Sequence, residues 1–371
     1  MSATRLERLS VRDFRNLAQV ELSLPAEGVV VVGDNGHGKT NLLEAIYYLQ
    51  LLRSARGARD VELVRFGTPG FHVAAHGRFP AAHDVHAGFA REGKRKKVTH
   101  DGVTPARLAD ALGGVPSVLV SPRDVALVSG SPGERRRYLD ITLALSSPSY
   151  LVALQAYRAA LTRRNAALRD SARRGRNDAS AAAWEPALVE HGAVLWRERL
   201  AWVAGVADEY ARLCSAIGER GAGRLEYVSR HATANGAGDA LATALAAHRA
   251  LDAKRGLTHA GPHRDDLALA LDGRELRLFG SAGQQRTAAI ALRLLELATL
   301  RARIGGAPVL LLDDPFAELD PGRAQRVLEL LGDSGLGQAV LVVPRVADIP
   351  DDFTRLARHR MHEGVLTRLA A

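Results

Sequence analysis

The stretch of sequence that decides the fold is Gly33-Asp34-Asn35-Gly36-His37-Gly38-Lys39-Thr40. It follows the apolar run 29–32, which is typical of a fully buried strand, and it opens a segment with helical spacing of apolar residues. The pattern G-x-x-x-x-G-K-[ST] requires this order of strand, glycine loop and helix. The loop N–H groups then surround phosphates, Lys39 reaches the β- and γ-phosphates, and the Thr40 hydroxyl ligates Mg²⁺. The sequence therefore predicts that residues 33–40 bind ATP with Mg²⁺; the alternative is a plain glycine turn at a helix start.

A second candidate element is an apolar strand that ends in two carboxylates, Val309-Leu310-Leu311-Leu312-Asp313-Asp314. We expect Asp313 to hold Mg²⁺, directly or through water, and Asp314 to polarise the water that attacks the γ-phosphate. ABC-type ATPases usually carry Glu at the second position, so the shorter Asp314 implies a slightly different position for that water. Taken alone, the pattern also fits a helix N-cap or a solvated loop. The interpretation therefore depends on the motifs around it.

A third motif, upstream of this strand, is Ser281-Ala282-Gly283-Gln284-Gln285-Arg286, which resembles the ABC signature loop. A Ser hydroxyl, a Gly that lets N–H groups approach and a helix N-terminus together form an anion site. In that superfamily the signature closes on the γ-phosphate of nucleotide held by the other subunit, and we expect Ser281, Gly283 and Gln284 to do so here. Glu318-Leu319-Asp320, after the apolar strand, is similar to the D-loop. These motifs imply an ATP-dependent homodimer with two composite sites, and they exclude kinases and GTPases, which lack the signature.

The composition is basic and poor in cysteine. The 371 residues carry a formal net charge of +9, and a positive field attracts phosphate backbones. A merely soluble basic protein fits this charge equally well. The single cysteine, Cys214, excludes an internal disulfide framework and a cysteine-rich metal site. The sequence start has no apolar signal segment, and no stretch approaches a membrane span. We therefore expect a cytoplasmic protein without a membrane partner.

The apolar periodicity predicts a discontinuous α/β fold, an ABC-type ATPase head with an inserted helical lobe. Residues 1–120 and 250–371 form the head, a mixed sheet flanked by helices. Residues 121–249 form the lobe, in which about 147–218 has the pattern of a helical hairpin, a compact arm rather than a long coiled coil. Two stretches further along have strand-like alternation, LALALDG at 267–273 and ELRLFG at 275–280.

Two basic clusters are candidate DNA contacts. Lys94-Arg95-Lys96-Lys97 lies at a predicted hairpin tip, and Arg135-Arg136-Arg137 follows a Gly-Ser-Pro-Gly turn. Either cluster can neutralise backbone phosphates. A solvated tip explains the first equally well, and arginines at a helix start often cap or pair locally. No aromatic residues interleave the clusters, so the sequence favours contacts with the DNA backbone or duplex over base stacking.

Four further blocks extend the pattern along nearly the whole chain: LSVRDFRN at 9–16, SPRDVALVSGSPGERRRYLD at 121–140, LTRRNAALR at 161–169 and GLTHAGPHRDDL at 256–267. Together with the Gln-Gln-Arg-Thr of the signature, these blocks resemble the RecF family of ABC/SMC-type ATPases. The resemblance implies an ATP-driven dimer that clamps DNA at single-strand gaps or junctions and helps RecR and RecO to load RecA. It also implies slow, DNA-stimulated ATP hydrolysis that ends the closed state.

The sequence departs from this family at three places. Pro315 stands where the family usually carries an apolar residue, and residues 53–60 only approximate its basic segment. The last predicted strand runs into Pro344-Arg345 instead of threonines, which leaves the γ-phosphate sensor unidentified. Three alternatives stay open: an SMC-like structural DNA clamp, a transporter-associated ATPase, and a scaffold that binds ATP without cleaving it.

His259 and His263 form the remaining candidate metal site, together with Asp265-Asp266. Their spacing on a Gly-Pro loop is not that of a helical zinc pair. The resemblance implies instead that this block belongs to the head, near the nucleotide.

Overall fold

A computed structural model describes residues 4–174, 179–317, 319–333 and 337–369 of the chain. The chain forms two compact units, Met1–Asp124 with Glu296–Ala371, and Val125–Leu295. The predicted division into head and lobe at residues 249 and 250 stays a prediction. The second unit extends beyond residue 249 because β9 pairs in antiparallel fashion with β8, which itself packs against the long helix α6.

The elements of the described residues are as follows. The strands are β1 (Arg5–Phe14), β2 (Leu17–Ser23), β3 (Gly28–Val32), β4 (Gly70–Arg78), β5 (Asp84–Ala90), β6 (Arg95–His100), β7 (Ser117–Val120), β8 (Gly223–Val228), β9 (Asp266–Leu271), β10 (Arg274–Glu275), β11 (Val309–Asp313), β12 (Ala339–Val343), β13 (Ala357–His362) and β14 (Val365–Arg368). The α-helices are α1 (Lys39–Leu51), α2 (Asp60–Leu63), α3 (Ala126–Ser129), α4 (Pro132–Ser146), α5 (Pro148–Arg174), α6 (Glu185–Ile217), α7 (Ala237–Arg255), α8 (Leu276–Phe279), α9 (Ala282–Ile304) and α10 (Pro321–Asp333).

A mixed sheet in the first unit has the order β14-β13-β3-β12-β11-β7 within the described residues. The strands from β13 to β7 run parallel, and β14 is antiparallel to β13. Every residue of β3 and β12 is buried, as expected for central parallel strands covered on both faces. Because β3 and β11 lie on either side of β12 in parallel, the residues that follow them meet at the same edge of the sheet.

An antiparallel sheet of the same unit has the order β2-β1-β4-β5-β6. Helix α1 packs against strands of both sheets, so almost all of its residues are buried, including the polar Glu44 and Gln50. The Gln50 amide compensates for its burial with two hydrogen bonds to the Ser117 backbone at the start of β7. Helix α1 begins at the end of the glycine loop 33–40, which we call the P-loop, and is therefore fixed on several sides.

The second unit is built on α5 and α6, which pack against each other and against α7. Its core joins Leu154 and Tyr157 of α5 to Leu188 and Trp196 of α6. The strand predicted over 275–280 is wrong beyond Glu275, because residues 276–279 form the short helix α8. Among the described residues, no helix has the length and apolar character needed to cross a membrane.

Candidate nucleotide-binding site

The P-loop joins the end of β3 to the start of α1. Lys39 is buried, and its ammonium donates hydrogen bonds of 2.5 and 2.9 Å to the carbonyl oxygens of Gly33 and Asp34. Asp34, Asn35 and Gly36 form the exposed rim of the loop. The loop therefore closes around the lysine, while its rim is open to a ligand.

Two glycines of the loop stand where no side chain fits. Gly38 has a φ of 110°, and a Cβ on it would lie 2.7 Å from Asn16 Oδ1. A Cβ on Gly33 would lie 2.3 Å from the carbonyl oxygen of Met361. Steric exclusion at these positions explains why the pattern requires glycine at both ends of the loop.

His37 is the P-loop residue that the β13–β14 turn holds. Its Nδ1 accepts a hydrogen bond of 2.9 Å from Glu363 N, and its carbonyl oxygen accepts one of 2.9 Å from Gly364 N. Its ring also stacks on His362, with the ring centroids 4.7 Å apart. The turn thus fixes the apex of the loop, a contact that no sequence motif indicates.

The two predicted halves of the site meet through Thr40 and Asp313. Thr40 Oγ1 donates a hydrogen bond of 3.0 Å to Asp313 Oδ1 at the end of β11. Asp314 follows with a φ of 44°, a left-handed conformation that Asp tolerates better than most residues. A cavity of about 250 Å³ opens here, lined by Asn35, Gly36, Gly38, Lys39, Thr40, Asn41, Arg56, Asp313, Asp314 and Pro344.

The charged side chains of this cavity fit a ligand that supplies both an anion and a cation. Burial lowers the pKa of Lys39, against the attraction of Asp313, Asp314 and Asp34. Burial also raises the pKa of Asp313, although the hydrogen bond from Thr40 opposes this. Both side chains are thus penalised for carrying charge. An anionic triphosphate at Lys39 and Mg²⁺ at Asp313 and Thr40 would give each a counter-charge, so these residues fit the predicted ligands.

Arg56 lies in the segment 53–60 and lines the cavity, although no sequence motif identifies it as a site residue. Its Nε donates to Glu44 Oε2 at 3.0 Å, and its Nη2 contacts Asn41 Oδ1 at 2.5 Å. Arg15 and Ser54 also donate to the buried Glu44. Burial would raise the pKa of Glu44, but the hydrogen bonds from Arg56, Arg15 and Ser54 outweigh it and lower that pKa. In the sequence, the only indication of this cluster is Glu44, a carboxylate inside a helix that is predicted to be buried.

Pro344 is the residue that follows β12, and it lines the cavity directly. Proline has no backbone N–H and no polar side-chain atom, so it offers a phosphate no hydrogen bond. Pro344 therefore lies in the site, at the position where the sequence shows no γ-phosphate sensor.

The signature residues begin α9 in the second unit. Ser281 N donates to Gln284 Oε1 at 2.9 Å, and Gln284 N donates to Ser281 Oγ at 3.3 Å. This reciprocal pair is a capping box in which Ser281 is exposed and Gln284 is half-buried, with Gly283 on the first turn of the helix. In the D-loop, Asp320 Oδ1 accepts from Arg323 N at 3.0 Å, whereas Glu318 lies outside the described residues.

The basic cluster on the hairpin divides into exposed and engaged side chains. Lys94, Arg95 and Lys97 are exposed. Lys96 Nζ instead forms an ion pair of 2.8 Å with Asp60 and lies 5.2 Å from the centre of the Tyr48 ring. Lys96 therefore links β6 to α2 and α1, and its predicted DNA contact stays untested.

The second basic cluster also divides. Arg135 is buried and forms a bidentate pair with Asp266, with two N–O distances of 2.8 Å. This pairing neutralises its charge and leaves little of the side chain for DNA, so a DNA contact of Arg135 stays an untested prediction. Arg136 and Arg137 are partly exposed.

The block at 256–267 lies in the second compact unit and the P-loop in the first. That the block is part of the head stays a prediction. His259 Nδ1 is 2.8 Å from Asp252, and His263 Nδ1 is 2.7 Å from the Tyr157 hydroxyl. Among the described residues no cluster of three or more His, Cys, Asp or Glu could hold a metal ion. These contacts give the histidines a role in packing.

Comparisons with known proteins agree with this fold. The model of the family described as RecF/RecN/SMC N terminal domain matches residues 5–365. The solved structure of the recombination mediator protein RecF-ATP in the RecFOR pathway has a TM-score of 0.89 at 28% identity, and the match covers 100% of this chain and 99% of that one. A Smc head domain from Pyrococcus furiosus, at 17% identity and a TM-score of 0.56, covers 99% and 96% and shares the fold alone.

Curated relatives extend the comparison. DNA replication and repair protein RecF of Anaeromyxobacter dehalogenans (strain 2CP-C) is 40% identical over 88% of this chain and 89% of its own. The protein of the same name from Chloroflexus aurantiacus is 37% identical over 97% and 98%. Fold, P-loop and matches together define an ATPase head of the ABC/SMC superfamily. Within that class the chain belongs to the RecF family of DNA replication and repair proteins, so the predicted fold class and family are confirmed.

Proposed function

We propose that this protein is an ATP-dependent recombination mediator whose homodimer clamps DNA at single-strand gaps or junctions. The observation that carries the proposal is the hydrogen bond between Thr40 and Asp313, which joins the P-loop to the acidic strand end in one cavity with Lys39. A loop of N–H groups, a buried lysine and two carboxylates at a parallel sheet edge are the parts that nucleotide hydrolysis needs.

Residues of the first unit supply half of the ATPase chemistry. The backbone of Gly33–Thr40 would surround the phosphates, and the Lys39 ammonium would contact the β- and γ-phosphates. Mg²⁺, held by Thr40 and Asp313, supplies positive charge to the phosphate oxygens. Asp314 would orient the attacking water and accept its proton, and Arg56 would add positive charge at the rim.

A second subunit would complete each site. Ser281, Gly283 and Gln284 would present a helix N-terminus and a hydroxyl to the γ-phosphate of the partner's nucleotide. The exposed Leu278 and Phe279 support this interpretation, because two large apolar side chains next to the signature suit a surface that becomes covered on dimerisation.

The relatives' names and the positive charge support DNA and DNA-repair proteins as the binding partners of this protein. The net charge of +9 and the exposed Lys94, Arg95 and Lys97 suit contacts with backbone phosphates, together with Arg136 and Arg137. As a RecF family member the protein would cooperate with RecR and RecO to load RecA, and slow hydrolysis would release the clamp. The rate of ATP hydrolysis would then set how long the dimer stays bound to DNA.

Steady-state ATPase activity with and without gapped DNA tests this proposal. Gapped DNA is expected to raise the turnover of the wild type, and Lys39→Met is expected to have no activity with or without DNA. Copurification provides the second test: RecR together with DNA supports the mediator, whereas a stable membrane subunit would contradict it. An ATPase rate indifferent to DNA in the wild type would remove the link between the nucleotide site and the clamp.

A further inference from the structure

A second cavity lies wholly within the second unit, between α4, α5 and α6. Its volume is about 250 Å³, the share of liquid volume of roughly eight water molecules. Four arginines from the three helices converge on it, with one carboxylate in its lining. We refer to it as the arginine cavity, and its polar lining includes Arg136, Arg137, Asp140, Tyr157, Arg158 and Arg199.

The carboxylates around the cavity already accept hydrogen bonds, in part from arginines of the lining itself. Asp140 accepts 2.7 Å hydrogen bonds from both Arg199 and Arg158. Asp266 is the bidentate partner of the buried Arg135.

Asp265 accepts its hydrogen bonds from uncharged donors. Its Oδ2 accepts hydrogen bonds of 2.6 Å from the Trp196 indole and from the Tyr227 hydroxyl. Its side chain therefore faces these two groups, and it is the backbone carbonyl of Asp265 that meets Arg136.

Arg136 is a guanidinium of the lining that bonds to a backbone carbonyl and not to a carboxylate. Its Nη1 donates to the Asp265 carbonyl oxygen at 2.7 Å, and it forms no ion pair within the described residues. Burial lowers the pKa of Arg136, against the attraction of Asp266, Asp140 and Asp265, so the ion has lost part of its hydration. A partly desolvated cation normally has an anionic partner.

The start of α4 adds a second positive element at the same place. A Cβ on Gly133, in the first turn, would lie 4.0 Å from Arg136 Nη2. Ser131 at the N-cap makes no capping hydrogen bond, and Glu134 in the first turn is exposed. The start of the helix therefore adds its partial positive charge beside Arg136 and favours an anion there.

His263 lines the cavity but contributes no charge near neutral pH. Burial lowers its pKa to about 4. Its Nε2 lies 3.1 Å from the Thr258 carbonyl oxygen and must donate to it, so its Nδ1 accepts from the Tyr157 hydroxyl at 2.7 Å. Recognition in this cavity therefore rests on the arginines.

We propose that the arginine cavity is a phosphate-binding site, separate from the P-loop, in which Arg136, Arg158 and the start of α4 hold the oxyanion. Guanidinium forks match the oxygens of phosphate, and a helix N-terminus prefers the same ligand. The phosphate is either a backbone diester of DNA or a free phosphate. The first source deepens the proposed function and rests on it; the second does not.

The test uses the full chain with Lys39→Met, so that the P-loop no longer contributes phosphate binding. Inorganic phosphate is titrated against acetate at matched ionic strength, and thermal unfolding is followed by tryptophan fluorescence, because a ligand of the native state raises Tm. All three tryptophans lie in the second unit and report on it. Phosphate, but not acetate, is expected to raise Tm.

Adding Arg136→Gln is expected to weaken phosphate binding at least about tenfold, as for the loss of a charged hydrogen bond. The matched control is Arg230→Gln, an exposed arginine of the same unit outside the cavity, which should keep wild-type binding. Arg158→Gln tests the same cavity if Arg136→Gln does not fold. Equal stabilisation by phosphate in the Arg136 variant and its control, or equal stabilisation by acetate, would overturn the proposal.

A DNA-binding measurement distinguishes the two sources of the phosphate. In protein with an intact P-loop, Arg136→Gln lowers affinity for gapped DNA and reduces the salt slope by about one contact if the ligand is a DNA phosphate. Unchanged DNA affinity with lost phosphate binding supports a free phosphate. If the wild type does not bind DNA with ATP, the clamp proposal fails while the phosphate titration still decides on this cavity.

Discussion

Thr40 and Asp313 are 273 positions apart in the chain, yet the threonine hydroxyl donates a 3.0 Å hydrogen bond to the aspartate. Parallel pairing through β12 brings the ends of β3 and β11 to one sheet edge, and α1 begins there with Lys39 and Thr40. The contact connects the phosphate loop to the predicted metal-binding carboxylate.

Thr40→Val removes the hydroxyl but keeps the branched shape. We expect it to raise the Mg²⁺ concentration needed for half-maximal ATP binding, because one of the two oxygen ligands is lost. Thr40→Ser retains the hydroxyl and is the matched control. Titration of Mg²⁺ against binding of a fluorescent ATP analogue measures this, and identical curves for the valine and serine variants would remove Thr40 from the metal site.

Asp314→Asn keeps the size of the side chain and removes its capacity to accept a proton. We expect ATP binding and dimerisation to persist while turnover falls by about 100-fold or more, as for loss of a general base. Single-turnover ATP hydrolysis, with size-exclusion chromatography and light scattering for the dimer, measures both effects. If Asp314→Asn hydrolyses ATP at the wild-type rate, another residue orients the attacking water.

Asp252→Asn tests the buried ion pairs of the second unit. Asp252 is fully buried and accepts a 2.7 Å hydrogen bond from the buried Arg164. Removing its charge leaves Arg164 undercompensated and is expected to lower the stability of this unit by about 3 kcal/mol. Urea denaturation followed by tryptophan fluorescence measures it. Glu209→Gln, in the exposed pair with Arg212, should cost below about 1 kcal/mol; equal losses for both would contradict the burial argument.

His263 predicts a pH dependence of stability. Burial lowers its pKa from 6.5 to about 4, so between these values the unfolded chain binds a proton that the folded chain does not. Stability from this group is present above pH 6.5 and falls by about 3 kcal/mol as the pH drops to 4. His263→Gln is expected to flatten this part of the urea-denaturation profile. Parallel falls in the two proteins would show that other groups cause the acid loss.

The P-loop and the acidic strand could be predicted because their signals are local. Strand, glycine loop and helix follow one another in residues 29–51, and an apolar run before Asp313 and Asp314 indicates a buried strand end. The strand predicted over 275–280 fails at residues 276–279, because its alternation is too short to separate a strand from one helical turn.

The roles of the basic residues could not be predicted in the same way, because tertiary packing decides them. Arg135 finds its carboxylate partner 131 positions away, and Lys96 finds Asp60 on another element. Arg56 enters the nucleotide cavity only because Glu44 of α1 holds it there. A run of charges in the sequence does not indicate which of its members face solvent.

The central claim is that Gly33–Thr40 is half of an active site and Ser281 of a second subunit is the other half. Ser281→Arg and Lys39→Met should each abolish ATP hydrolysis alone, the first by blocking dimerisation. In a mixture, the intact P-loop of the Ser281 variant can meet the intact signature of the Lys39 variant. A control mixture of Lys39→Met with Asp314→Asn should stay inactive, because both changes lie in the same half-site.

The ATPase rate of these mixtures is the most direct measurement. The composite site predicts that Ser281→Arg mixed with Lys39→Met hydrolyses ATP well above the sum of the separate variants, while the control mixture does not. A rate equal to that sum would contradict it.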